Sequence, residues 1–278
     1  MGAESKPEII RKEEPPWNSC CRRHRHEWSS EVTRQRLQKL IAAAGLCSRR
    51  RAEDLLRQHR VKVNGQLASI GDQADLDEDE VEVDGRPLHQ APQPRILLLN
   101  KPPGVICSCH DPQQRRTVLD LVPADLRSGL HPIGRLDAES RGALLLSNHG
   151  ELTLKLTHPR YNHRKTYRVM VAGLPAAKHL KQWRSGVVLD GTVTRPADVT
   201  LLEGTTRSSV LEVTLREGRN RQIRRIALSL GHRVLDLQRI AIEDLRLGSL
   251  AEGCWRELSK QEWTDLIKHP GSPVINKT

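Results

Sequence analysis

Four short apolar runs limit how this chain can fold: ILLLN from Ile96, Ala143–Leu146, Tyr167–Val171 and Val210–Leu215. None approaches the roughly 18 apolar residues needed to cross a membrane, and their length suits strands. Helical patterns fall at 150–157, 176–183, 219–230 and 259–267. Strands and helices do not alternate as strict βαβ units, and there is no regular repeat. The expected fold class is therefore α+β, a largely antiparallel mixed sheet flanked by helices.

Upstream the pattern differs. Residues 1–33 are charged, contain Pro and lack periodicity, so they read as a disordered basic arm. Leu37, Leu40, Ile41 and Ala44 follow helical spacing, and Gly45 can end that helix. Ser48 is placed to cap a second helix that carries Leu55 and Leu56, with Arg49, Arg50 and Arg51 in its first turn. Three cations there oppose the helix dipole, which points to an outside anion such as phosphate. Val61 and Val63 then lead into Asn64-Gly65, a hairpin signal. The acidic stretch DLDEDEVEVDG reads as a solvated strand and turn rather than a cation site. Residues 90–95, with two Pro, read as a linker. The resulting division is an arm at 1–33, a small module at 34–89, the linker, a large domain at 96–268 and a tail at 269–278.

Charge narrows the partner. Lys and Arg total 45 against 34 Asp and Glu, a formal net of +11, which favours a polyanion. Aromatic residues make up 3%, with no Phe, so general stacking platforms for single strands are not expected and each of the two Tyr is worth locating. The six Cys are scattered and no secretory signal stands at the N-terminus, which suggests free thiols and a cytoplasmic location. Cys20, Cys21, His24 and His26 match no standard zinc spacing, so no metal is expected.

One carboxylate stands out in GRLDAESRGALLLSNHGEL: Asp137, between a basic turn and an apolar run. Such a residue is ordinarily a turn former or helix cap. Glu139, two positions on, cannot oppose it across a sugar as a glycosidase pair would. Gly-x-Ser-x-Gly and phosphate-loop signatures are absent, which excludes a serine hydrolase or P-loop nucleotidase, and no nucleotide cofactor is expected. A lone carboxylate can still attack a sugar carbon if a partner keeps it ionised. In REGRNRQIRRIALSLGH, Ile223, Ile226, Ala227 and Leu230 share the buried helical face. Arg221 and Arg225 then point outward, while Arg224 lies on the flank, where it can meet Asp137 in a bidentate pair.

Two resemblances follow from these residues. LQKLIAAAGLCSRRRAEDLLRQHRVKVNGQ…VEVDGRPL resembles the RNA-binding domain named after ribosomal small-subunit protein S-four. It implies structured-RNA binding, with Arg49, Arg50 and Arg51 facing phosphates. LNKPPGV…DPQQRRTVLDLVP, HPIGRLDAESRGALLLSNHGEL, RKTYRVMV and EGRNRQIRRIALSLGH together resemble pseudouridine synthases of the RsuA/RluB type, over about Ile96 to Trp263. That resemblance implies isomerisation of a ribosomal RNA uridine to pseudouridine without cofactor; a monomer with no metal and no membrane partner is expected. It implies Asp137 as the catalytic aspartate, Tyr167 as the tyrosine packing on the uracil, Arg224 as the basic partner of the aspartate, and Arg135 as the residue filling the space of the flipped nucleotide. Lys101, Arg221 and Arg225 are expected among the RNA contacts. Asp137 would act at the ribose, by attacking C1′ or by abstracting the C2′ proton. Where relatives follow GRLD with a small-residue stretch, this chain has Arg141, which would add bulk and charge beside the site. A non-catalytic RNA-binding assembly factor and a DNA-binding protein are the rival readings. The first would call for loss of Asp137, Tyr167 or Arg224, and the second for a two-helix DNA reader that does not stand out.

Overall fold

The computed structural model describes residues 34–89 and 92–268. The expected arm, the expected tail, the Cys20–Cys21–His24–His26 group and the first two linker residues lie outside the described residues. The N-terminal module contains β1 (Gln35–Arg36), α1 (Leu37–Ala43), α2 (Arg49–Arg57), β2 (Val61–Val63), β3 (Gln66–Leu67), β4 (Gln73–Ala74), β5 (Val81–Val83) and β6 (Arg86–Pro87). Leu37, Ile41, Ala52, Leu56 and Val61 close its core, so the helical spacing in the sequence is a burial pattern. Ser48 Oγ accepts from the Arg51 amide at 3.3 Å, which caps α2. Asn64 and Gly65 both take positive φ, and their turn joins β2 to β3. Asp79 is buried in the acidic stretch, where it accepts from Asn64 Nδ2 and the Asp75 amide, both at 2.9 Å.

The remainder contains β7 (Ile96–Lys101), β8 (His131–Ile133), β9 (Arg141–Ser147), α3 (Gly150–Thr157), β10 (Lys165–Ala172), α4 (Ala177–Ser185), β11 (Val188–Leu189), β12 (Thr192–Val193), β13 (Asp198–Gly204), β14 (Ser208–Leu215), α5 (Gln222–Ser229), β15 (Val234–Ile242), β16 (Leu245–Arg246), β17 (Trp255–Glu257) and α6 (Lys260–Lys268). One mixed sheet runs β13-β14-β10-β15-β9-β7-β17, with β8 on β9 and β16 on β15. Every pairing in it is antiparallel except β15 with β9. The apolar runs foretell how the sheet is covered. All of β7 and nearly all of β9 are buried, because α3 and α6 pack on one face and Val105, Val118 and Val122 on the other. In β10 burial alternates instead: Val169 and Val171 face α4 and α5, while Arg168 and Met170 face solvent. The end of the linker is fixed by Asn148, which accepts from the Arg95 amide at 2.7 Å and donates to the Gln93 carbonyl at 2.9 Å.

A buried polar knot joins the start of β10 to the end of β15. Glu243 Oε1 lies 3.0 Å from His163 Nδ1 and accepts from the Arg164 amide at 2.7 Å. Its Oε2 accepts from Arg164 Nε at 3.0 Å. Burial pushes the Glu243 carboxyl up, but these donors outweigh it and the net direction is down. A carboxyl lowered in the folded state contributes stability above its unfolded pKa of about 4.3 and loses that contribution as pH falls through the folded value. Glu243→Gln leaves the buried Arg164 with the exposed Asp244, 3.2 Å from Nη2, as its one carboxylate partner, so a cost of about 1.5–3 kcal/mol is expected at neutral pH. In urea melts the gap between wild type and variant should shrink below about pH 4. A gap independent of pH would show that the charge of Glu243 does not matter.

Candidate active site

Asp137 sits on a turn just before β9, and the turn is braced from beneath. Its carbonyl accepts from the Ser140 amide at 3.1 Å. Cys107 Sγ accepts from the Leu136 amide at 3.3 Å, and the Ala138 carbonyl accepts from Gly104 at 2.7 Å. Lys101, expected among the RNA contacts, corrects that expectation. It is fully buried, and its ammonium donates to the carbonyls of Pro102 (2.9 Å), Ala138 (3.1 Å) and Ser140 (2.8 Å). An ammonium has three donors, so none is left for phosphate. Lys101 clamps the turn from within.

The expected 219–230 helix begins later, at Gln222, because Arg221 adopts the left-handed conformation at the N-cap. The Gln222 side chain closes the preceding turn, accepting from the Arg219 amide at 3.1 Å and donating to Glu217 at 2.7 Å. This changes which arginine meets the carboxylate. Arg221 does not point away from the site: Nη1 lies 3.2 Å from Glu139 and 4.0 Å from Asp137 Oδ2. Arg224, expected to pair with Asp137, instead donates from Nη2 to Ser140 Oγ at 3.2 Å and keeps a buried Nε without a partner among the described residues. With the helix starting at Gln222, Arg224 falls beneath the Ser140 end of the turn. Arg225 forms a bidentate pair with Asp190 at 2.6 and 2.9 Å. Arg135 is exposed, and its carbonyl lies 3.5 Å from Arg239 Nη1.

The far wall is the end of the sheet face that α4 and α5 leave uncovered. Lys165 and Tyr167 project from β10, with Arg239 opposite Tyr167 in the antiparallel register. Tyr167 also packs against the core beneath the helices. With Asp137, Arg135 and Arg221 these residues line a cleft of about 620 Å³. Burial, with Arg239 adding to it against Glu243, pushes the Lys165 ammonium down to about 8. Lys165 and Arg239 escaped the sequence reading, although each is a charge at a position where the period-2 pattern calls for an apolar side chain. Gly142 allows the strands to close here. Its φ is +107°, and a Cβ would lie 2.2 Å from the Arg239 carbonyl oxygen. Arg141 leaves the cleft: it bonds Asp236 in a bidentate pair (Nε 3.0 Å, Nη2 2.8 Å) and Glu252 at 2.7 Å, so its charge is neutralised away from Asp137. The other tyrosine, Tyr161, lies beneath the Arg160 guanidinium, 4.6 Å from its ring centre.

The Arg49, Arg50 and Arg51 side chains are exposed on the first turn of α2. Among the described residues no cluster of three or more His, Cys, Asp or Glu could hold a metal ion, and no helix is long and apolar enough to cross a membrane.

A part-exposed carboxylate among arginines, beside a half-buried tyrosine and downstream of a basic module, defines an enzyme-type cleft suited to a nucleotide of a larger polyanion. Residues 95–229 match the family model for RNA pseudouridylate synthase, and residues 35–81 match the S4 domain. An Aquifex aeolicus protein named as an uncharacterized RNA pseudouridine synthase is 37% identical over 242 residues, 86% of this chain and 96% of its own length. The Bacillus subtilis ribosomal large subunit pseudouridine synthase B is 39% identical, covering 82% of this chain and 93% of its own. The Escherichia coli dual-specificity RNA pseudouridine synthase RluF is 36% identical, covering 84% and 78%. A solved pseudouridylate synthase superimposes with a TM-score of 0.62 at 30% identity, over 84% of this chain and 99% of its own. The chain belongs to the RNA pseudouridine synthase family, in the branch that carries an N-terminal S4 domain.

Proposed function

We propose that this enzyme isomerises a uridine in structured ribosomal RNA of the large subunit to pseudouridine, with Asp137 as its single catalytic carboxylate and without a cofactor. The observation that carries this reading is the placement of Asp137 and Tyr167 in one cleft, with the carboxylate held on a turn braced by the buried Lys101. The target uridine leaves its stack, because its C1′ cannot be reached inside a helix. Tyr167 stacks on the extruded base, and Arg135, exposed at the mouth of the cleft, takes its place in the RNA. Asp137 acts at the ribose, at C1′ or at the C2′ proton. Arg221 sets its guanidinium 4.0 Å from that carboxylate, and Arg224 holds the turn through Ser140. The base turns and rejoins the sugar through C5. One carboxylate suffices, because nothing is added to the nucleotide and nothing is released. The names of the relatives support the ribosomal, large-subunit substrate.

Mapping of pseudouridines in ribosomal RNA from cells with and without the gene tests this. Loss of one or a few large-subunit pseudouridines is the expected outcome, and an unchanged ribosomal map with losses elsewhere would overturn it. The exposed cations of α2 supply backbone affinity. Replacing Arg49, Arg50 and Arg51 by Gln is expected to weaken RNA binding and to lower the slope of log affinity against log salt by about 0.7–0.9 for each phosphate no longer neutralised. An unchanged slope would mean that this helix turns away from the RNA.

A further inference from the structure

The cleft carries two positive side chains whose hydrogen-bonding capacity is unmet. Arg239 is 2% exposed, donates from Nε to the Ala143 carbonyl at 2.6 Å, and has a buried Nη2 with no partner among the described residues. Lys165 makes one hydrogen bond, to the His163 carbonyl at 3.2 Å, which leaves two of its three donors. Neither forms an ion pair with a carboxylate of the described residues. The negative charge that acts on Lys165 comes from Glu243, already bonded to His163 and Arg164. Holding two cations in one pocket with no carboxylate paired to either opposes folding. Such an arrangement favours a ligand that brings or develops negative charge there.

The reaction develops that charge. When the bond between uracil N1 and ribose C1′ breaks, its electron pair stays with N1 and spreads onto O2 and O4, so the detached base is an anion. This holds whether Asp137 forms an ester at C1′ or removes the C2′ proton. C5 then bonds to C1′ as the ester bond to Asp137 breaks, or as C2′ takes back its proton, which returns the base to neutrality. Loss of the C5 proton and gain of one at N1 complete the product. Arg239 lies opposite Tyr167 across the strand pair, and Lys165 lies two residues before it, on the same face of β10. A base stacked on Tyr167 therefore has both cations at its edge.

We propose that Lys165 and Arg239 are catalytic residues that bind the carbonyl edge of the uracil and stabilise it as a leaving anion. The proposal rests on the assignment of Asp137 to the ribose and adds the half of the reaction that Asp137 does not serve. A preorganised donor to a developing anion is worth about 10²–10³-fold in rate.

Fluorine at C5 stabilises the base anion from within, and so lowers the demand for outside stabilisation. The test compares single-turnover consumption of the target nucleotide in an unmodified ribosomal RNA transcript made with uridine or with 5-fluorouridine. Consumption of the nucleotide is the readout because the fluorinated base cannot lose a C5 proton. Lys165→Gln and Arg239→Gln are each expected to lose about 10²-fold on uridine and less than about tenfold on 5-fluorouridine, with RNA affinity nearly unchanged. Equal losses on the two nucleotides would overturn the proposal, leaving these residues a positioning role only. If Arg239→Gln does not fold, Lys165→Gln decides alone, since its side chain is half-buried and makes one hydrogen bond. Asp137→Asn separates the two assignments. If it stays active, the ribose assignment fails while the ratio between nucleotides still judges the two cations.

Discussion

Asp137→Asn should abolish isomerisation while leaving RNA binding intact. The substitution keeps the shape of the side chain, and the turn beneath it is held through the main-chain carbonyls of Ala138 and Ser140, which the substitution leaves in place. Only the charge is lost, and an amide neither attacks C1′ nor accepts a proton from C2′. Turnover should fall by at least about 10⁴-fold, equivalent to roughly 5.5 kcal/mol of barrier. Tritium release from RNA labelled at uridine C5 measures it, alongside RNA affinity under the same salt. Activity within about tenfold of wild type would remove Asp137 from the chemistry.

Gly142→Ala should damage the protein more than any exposed substitution near the cleft. The new methyl would lie 2.2 Å from the Arg239 carbonyl oxygen, 2.7 Å from its amide nitrogen and 2.9 Å from its carbonyl carbon. All three are backbone atoms of β15, so relief requires the strands to part. The positive φ adds strain of about 1–2 kcal/mol. A loss of more than about 3 kcal/mol in urea denaturation is expected, with activity falling as Arg239 withdraws from the cleft. Gly134→Ala is the control. Its φ is also positive, at +73°, yet a Cβ there would meet nothing within 4 Å, so strain alone should show. Similar losses in the two variants would mean that the close approach of the strands carries little energy.

The sequence foretold some of these features and concealed others, for physical reasons. ILLLN and ALLL are continuous because both faces of β7 and β9 are buried, and a run of Leu needs no partner to be recognised. Ser48 and the Asn64-Gly65 turn are local devices, fixed within three or four residues. The site was legible where its residues stand in turns and strands: Asp137 and Tyr167 share the cleft. It was less legible at α5. A uniform 100° wheel cannot anticipate that Arg221 turns left-handed, and one displaced residue exchanges the partners of Arg221 and Arg224. Lys101 misled because a lysine beside Pro-Pro-Gly looks solvent-facing, whereas β7 ends inside the protein with three carbonyls converging on it. Lys165 and Arg239 become neighbours only through a pairing that the intervening sequence does not encode.

The single parallel pairing in the sheet has a consequence for how the molecule comes to exist. Gln238 with Arg141 and Arg239 with Gly142 are the residues that join β15 to β9. They lie about a hundred residues apart along the chain, farther than any partners within β13-β14-β10-β15, and β17 reaches β7 across a still longer stretch, so loop-closure entropy places both pairings late in folding. β13, β14, β10 and β15 can gather before they meet β9. The carboxylate turn precedes β9, while the Tyr167 and Arg239 side chains belong to β10 and β15. The catalytic cleft is thus created by a late closure, and a nascent chain remains chemically silent until β15 has docked on β9.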